Sequence, residues 1–351
     1  MSMEWMLSEV VAKMKGFGKI VFVLTLSFFT GCVNLSGSKE NKKTVYISGY
    51  AQGTTYSIQY VDSAQRDFAF SIDSLLMRFD SSLSIYKPFS IISQINQTDT
   101  CVTTDSLFLY CFKRAKQIWQ KTNGAFDPTV APLINAYGFG FKNIDNVTDQ
   151  LLDSLRQYVG FEKVKLLNDS IIIKPKNVML DFNALAQGYS VDVVGDFLHK
   201  KGIDNYLVEI GGELRASGKT EKGEYWRVGI EKPIENNTNH DLSAVVSLKN
   251  NALATSGNYR KFYEKNGVRY AHTINPKTGK PVIREILSAT VIAKQCIDAD
   301  AYATAFMVLG VDSSLSVIEK NNLDAILIYE KNGKISHFIS KEIAKDVEWL
   351  E

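Results

Sequence analysis

The sequence predicts an α+β fold, a mixed sheet with flanking helices, and three observations carry that expectation. Alternating apolar and polar residues, the period of a half-buried strand, dominate residues 205–295. Apolar residues at helical spacing recur in only a few segments. The two kinds of segment do not alternate regularly, as the strand–helix–strand units of a parallel sheet would require.

The elements follow in chain order. Val45 and Ile47, then Tyr56, Ile58 and Tyr60, flank Gln52-Gly53 and predict a β-hairpin over 44–60. Ile72, Leu75, Leu76 and Phe79 share a helix face. Asp105 caps a stronger helix with Leu107, Phe108, Cys111, Ala115, Ile118 and Trp119 on one side. Thr148 opens another helix ending near Gly160, and residues 163–174 form two strands turning at Asn168-Asp169. A strand from Asn177 to Leu180 leads through Asp181 into a helix from Ala184 to Lys200. Strands follow at YLVEI, WRVGI, SAVVSL, around 259–273, and at SATVIA. Asp298 opens a helix through Leu309, and a second helix and a hairpin at Asn332-Gly333 follow. No linker-like break appears after residue 44, so residues 44–351 read as one composite domain.

Composition bounds the function. The 351 residues are 45% hydrophobic and 22% charged, ordinary for a globular protein. Lys+Arg number 40 against 38 Asp+Glu, a net charge of +2 that excludes the basic face of a general nucleic-acid binder.

The N-terminus carries a separate message. Ile20–Thr30 is an uncharged apolar run, preceded by Lys13, Lys15 and Lys19 and followed by Gly31-Cys32. It is too short to span a bilayer core of about 30 Å. Basic, then apolar, then small is the order of a signal peptide. Phe29-Thr30-Gly31-Cys32 resembles a bacterial lipobox, with Phe29 where Leu is usual. Residues 1–31 are then a removed signal, Cys32 is acylated, and residues 32–43 are a flexible tether. Met14 offers a more compact start than Met1. Acyl chains contribute about 0.8 kcal/mol per CH₂, so the expected location is a bacterial inner membrane, facing the periplasm. Cys101, Cys111 and Cys296 show no CxxC spacing, so neither a zinc site nor a disulfide framework is expected.

Five polar segments interrupt this easily buried pattern. Gly124-Ala125-Phe126-Asp127-Pro128-Thr129 places an aromatic and a carboxylate in a turn, which is also a good helix C-cap with a proline stop. Asp181-Phe182-Asn183-Ala184-Leu185-Ala186-Gln187-Gly188 delivers a carboxylate to a helix N-terminus, where amides and dipole favour phosphate; N-capping is the alternative. Glu209-Ile210-Gly211-Gly212-Glu213 permits either close backbone approach by a ligand or a plain turn. Ala254–Arg260 is followed by Ala271-His272-Thr273-Ile274-Asn275-Pro276-Lys277-Thr278-Gly279, a histidine beside a turn rich in hydrogen-bonding groups. In Asp298-Ala299-Asp300-Ala301-Tyr302-Ala303-Thr304, Asp300 and Thr304 share a helix face. A carboxylate with a hydroxyl suits a hard cation such as Mg²⁺, and acids complementing the helix dipole are the alternative.

In this order and spacing the segments resemble the ApbE-type FAD:protein FMN transferases, once called thiamine-biosynthesis lipoproteins. The resemblance runs from about Gly49 to Leu309. It implies a T-fold-related α+β architecture, FAD as substrate, and Mg²⁺ bridging the FAD pyrophosphate. It implies transfer of FMN to a Thr or Ser hydroxyl of a partner protein, with release of AMP. By position, Gln52, Tyr86, Ala125, Phe126, Asp127, Asp181, Gln187 and Ile274 fall on the FAD site. Asp300 and Thr304, with the backbone oxygen of Ala184, match the Mg²⁺ ligands, and His272 matches the catalytic base. The implied acceptors are membrane redox proteins carrying an Asp-Gly-x-Ser/Ala-Gly-Ala-Thr-like segment. Gln52 departs from the family's usual Met, and Gln187 from its usual Lys or Glu, so a charge near the nucleotide is missing. The same site with water as nucleophile would be an FAD pyrophosphatase, and one without turnover a flavin-binding lipoprotein.

Overall fold

The structure, a computed structural model, describes residues 43–98, 101–138, 147–234, 237, 239–257, 262–265, 268–271, 273–282 and 285–350. Strands β1 (Thr44–Ala51) and β2 (Thr54–Val61) form the first hairpin. Its turn residues Gln52 and Gly53 take φ of 54° and 77°, the left-handed pair that follows strand twist. Helix α1 (Ala69–Leu83) buries Ile72, Leu76 and Phe79, and α2 (Ile91–Gln97) starts at Ser90, whose hydroxyl accepts the Ser93 N–H. After β3 (Val102–Thr103), α3 (Ser106–Lys121) begins at Asp105, whose carboxylate accepts the Phe108 N–H. Helix α4 (Ala131–Ala136) carries Pro132 in its first turn, and α5 (Asp149–Arg156) starts at a Thr148 cap. Strands β4 (Lys165–Leu167) and β5 (Ile171–Ile173) turn at Asn168-Asp169, both at positive φ.

The second half begins with α6 (Asn183–Lys200), β6 (Tyr206–Ile210), β7 (Glu213–Ser217), β8 (Trp226–Glu231) and β9 (Leu242–Leu248). It continues through β10 (Ala252–Gly257), β11 (Phe262–Lys265), β12 (Val268–Ala271), β13 (Ile286–Ala293) and α7 (Cys296–Leu309). Helix α8 (Val311–Asn321), the hairpin β14 (Asp324–Lys331) and β15 (Lys334–Ile339), and β16 (Val347–Trp349) end it. Among the described residues no helix is long and apolar enough to cross a membrane.

Eight strands form the main sheet, in the order β1-β2-β6-β7-β10-β13-β14-β15. The expected mixed sheet is antiparallel in every ladder, because neighbours are joined by hairpins or by excursions that return on the same edge. Side chains alternate across it. Val208, Ala254, Ala289 and Val291 face the helix layer, where α6 and α7 lie centrally and α3 packs behind them. Leu253, Ile292 and Ile326 face the other way, onto a small sheet in the order β16-β9-β8. The long sheet is thus covered by helices on one face and partly by a second sheet on the other.

Two expected elements differ. Residues 177–180 are not a strand: Asn177 turns at φ 65°, and Leu180 pairs with a side chain. The Asn96 amide donates to the Leu180 carbonyl and accepts its N–H, both at 2.7 Å, replacing a ladder partner. Helix α7 starts at Cys296, before Asp298, because its first amides find their acceptor on another helix.

Candidate active site

The centre of the site is the contact between α6 and α7. Gly188 of α6 lies so close to α7 that an added Cβ would stand 2.4 Å from the Cys296 carbonyl oxygen. Only glycine permits that approach. Its N–H donates to Asp300 Oδ2 at 3.0 Å. One turn further along α6, Asp192 accepts the Cys296 and Ile297 N–H groups, both at 2.9 Å. The two contacts step in opposite directions along the two helices, so the helices run antiparallel and Ala184 approaches the level of Thr304. Burial pushes the Asp300 carboxyl up to about 7, against the pull of the Gly188 N–H. Thr304 shares a hydrogen bond of 3.3 Å with Ser256 on β10.

Other predicted residues gather at the start of α6. Asp181 accepts the Asn183 N–H at 2.8 Å, and burial pushes its carboxyl up to about 6. The exposed Tyr86 receives a weak hydrogen bond from Asn183 Nδ2 at 3.4 Å. Gln52, in the β1–β2 turn, accepts from Ser190 Oγ at 3.0 Å, while its buried Nε2 has no hydrogen-bond partner among the described residues. Gln187 donates to the Ile210 carbonyl, and Gly211 at φ 66° passes so close that a Cβ there would collide with Gln187 Nε2. The paired glycines therefore serve both as a turn and as room for Gln187.

The Gly124–Thr129 segment joins this group through its backbone, since the Pro128 carbonyl accepts the Asp181 N–H at 2.8 Å. Phe126 is turned into the core at 2% exposure, and Ala125 is also buried, so the segment offers a ligand backbone more than side chains. The Asp127 carboxylate is occupied: it accepts from Trp119 Nε1, from the Thr129 N–H and hydroxyl, and from the Phe161 N–H. Burial outweighs these bonds and raises its pKa. Ile274 is buried with Leu133, Leu152 and Val159, and begins the Asn275–Gly279 turn. A cleft of about 500 Å³ opens between the two turns, lined by Trp119, Gly124, Gly160, Glu162, Pro276 and Lys277 among others; none of its walls comes from α6 or α7. His272, Cys32 and Asn258–Arg260 lie outside the described residues.

The model of the ApbE family matches residues 52–327. The chain belongs to the ApbE family. It is 34% identical over 316 residues to the FAD:protein FMN transferase of Vibrio cholerae serotype O1, covering 87% of this chain and 93% of that protein. It is 35% identical over 310 residues to that of Haemophilus influenzae, covering 84% and 89%. Among solved structures, the flavin transferase ApbE from Vibrio cholerae superposes with a TM-score of 0.79 at 33% identity, covering 87% of this chain and 99% of that one. The ApbE protein from Thermotoga maritima gives 0.76 at 26%, covering 87% and 99%.

The donor set fits Mg²⁺. Among the described residues no three His, Cys, Asp or Glu side chains converge. A cation here would rest instead on Asp300, the Thr304 hydroxyl and the Ala184 carbonyl, hard oxygens that substrate phosphate would complete. Asp300 Oδ2 accepts the Gly188 N–H. Sequence reasoning missed Asp192, Asn96 and Arg114, which forks onto the Asp298 carboxylate. Each acts across a long sequence separation, and only a buried polar residue inside an apolar pattern hinted at Asp192.

Proposed function

We propose that this chain transfers FMN from FAD to a Thr or Ser hydroxyl of a partner protein, forming a phosphoester and releasing AMP with Mg²⁺. FAD:protein FMN transfer follows from family membership and from relatives of that name aligned over nearly their whole length. The observation that carries the mechanism is the Gly188 N–H of α6 on the Asp300 carboxylate of α7, with Thr304 one turn further along α7 beside Ser256 of β10.

The FAD pyrophosphate carries two negative charges, which must be offset before a nucleophile can approach. The α6 N-terminus turns the positive end of its dipole toward this region. Asp300, Thr304 and the Ala184 carbonyl would hold Mg²⁺, which when bound supplies positive charge at the phosphates. Tyr86, Gln52, Gln187, Asp181 and the backbone of Ala125–Asp127 and Ile274 are assigned to FAD. His272 takes the proton of the acceptor hydroxyl, for which an imidazole near neutral pKa is suited. That oxygen bonds to the FMN phosphorus as the bond to the AMP phosphate breaks. The acceptors are membrane redox proteins with an Asp-Gly-x-Ser/Ala-Gly-Ala-Thr-like segment. Anchoring through an acylated Cys32, facing the periplasm, is supported by the apolar run and lipobox-like residues before it.

The test is incubation with FAD, Mg²⁺ and a protein bearing the acceptor segment, followed by a denaturing gel viewed for flavin fluorescence. A fluorescent acceptor band that needs both Mg²⁺ and Asp300 is expected. Free FMN and AMP with no labelled band would instead assign the site to pyrophosphate hydrolysis.

A further inference from the structure

Helix α7 begins inside the protein without a cap of its own. Cys296 and Ile297 are both fully buried, and the side chain of the N-cap residue Gln295 bonds none of the first amides. Buried N–H groups at a helix start need acceptors, and water does not reach these two. The acceptor is the Asp192 carboxylate, reaching across from the middle of α6, with Oδ1 on Cys296 N–H and Oδ2 on Ile297 N–H. Its charge is balanced by Arg215 of β7, which also bonds Asp196. A carboxylate 3% exposed within a helix is an unfavourable choice for packing alone.

Spacing gives this cap its consequence. Asp192 stands one turn after Gly188 on α6, and Asp300 one turn after Cys296 on α7. The same two turns are therefore locked at both ends, by Asp192 on Cys296 and by Gly188 on Asp300. Sliding or fraying of α7 at Cys296 would move Asp300 and Thr304 away from the first turn of α6.

We infer that Asp192 is a positioning residue: its cross-helix cap fixes the register of α7 on α6 and so sets the spacing of the oxygen-donor site formed by Asp300, Thr304 and Ala184. The inference rests on the proposed Mg²⁺ site, and its test separates the two.

The experiment is calorimetric titration of Mg²⁺ into the full chain with FAD present, alongside the half-saturating Mg²⁺ for FMN transfer. Asp192→Asn keeps the shape but places an amide N–H against an amide N–H. It is expected to weaken Mg²⁺ binding about tenfold or more, the usual cost of disturbing a residue that orients metal ligands. Raised Mg²⁺ should restore its rate to within about twofold of wild type, with KM for FAD at saturating Mg²⁺ unchanged, a rescue that simple loss of folded protein would not show. If Asp192→Asn does not fold, Asp192→Ser, which removes both carboxylate oxygens from the two amides, should also bind Mg²⁺ more weakly than wild type. Wild-type Mg²⁺ affinity in whichever of these Asp192 variants folds overturns the inference. Unchanged Mg²⁺ binding in Asp300→Asn overturns the metal site itself, and the inference with it.

Discussion

At Asp192, burial and hydrogen bonding pull in opposite directions, and burial wins. Desolvation pushes its carboxyl up to about 6, although the Cys296 and Ile297 N–H groups and Arg215 all favour the ionised form, with Asp196 adding to the rise. The unfolded chain would titrate this group near 3.8. Between those values the folded state holds more protons, so the contribution to stability is fully present below about pH 4 and is lost as pH rises through about 6. Asp192→Asn removes the titration. Wild-type stability relative to Asp192→Asn should therefore fall between pH 4 and 7 by an amount on the order of 3 kcal/mol and stay level above. Urea unfolding at fixed ionic strength measures this; a difference that does not vary with pH would contradict it. Residues of this kind escape a linear reading. Asp300 and Thr304 are legible because one helix face holds both, whereas Asp192 acts on amides 104 and 105 positions away, and Asn96 on Leu180 at 84.

Elements whose ends are capped locally were legible. Asp105 and Thr148 begin helices that start one residue later, and Asn332-Gly333 and Asn168-Asp169 turn where their tolerance of positive φ predicts. The failures share a cause: a distant side chain supplies what the local sequence lacks. Residues 177–180 look like a strand but find their partner in the Asn96 amide, and α7 starts early because α6 caps it. Close packing of α6 on α7 is likewise invisible in sequence until Gly188 is seen against the Cys296 carbonyl. Gly188→Ala would gain helix propensity of about 1 kcal/mol, yet overpacking against backbone costs about 1–3 kcal/mol or more. A net loss of stability in denaturant unfolding is expected, with weaker Mg²⁺ binding as the helices part. A stabilised variant would mean that the helices relax without strain.

On the scale of the whole molecule, the α+β class followed from strand runs without regular alternation, but the division of labour between the two faces of the sheet did not. Strands β8 and β9 read like any others, yet they leave the main sheet and, with β16, cover its back. No periodicity distinguishes a strand in one sheet from a strand in another, since both alternate with period two. The consequence is a spatial separation of stability from chemistry. The back layer, with Trp226, Ile230, Val246 and Leu248 on Leu253, Ile292 and Ile326, forms its own apolar cluster, while the proposed site lies in the helix layer opposite. Leu248 is 1% exposed, so Leu248→Ala should cost about 2–5 kcal/mol through lost burial and the cavity left behind. Among the described residues its cluster holds none from α6 or α7, so the protein that remains folded should keep wild-type FMN transfer and affinity at the proposed Mg²⁺ site. Urea midpoints and rates per folded molecule measure the two effects separately. A fall in Mg²⁺ affinity matching that of Asp192→Asn would show that the sheet transmits strain to the helix pair, and that the two faces are one cooperative unit.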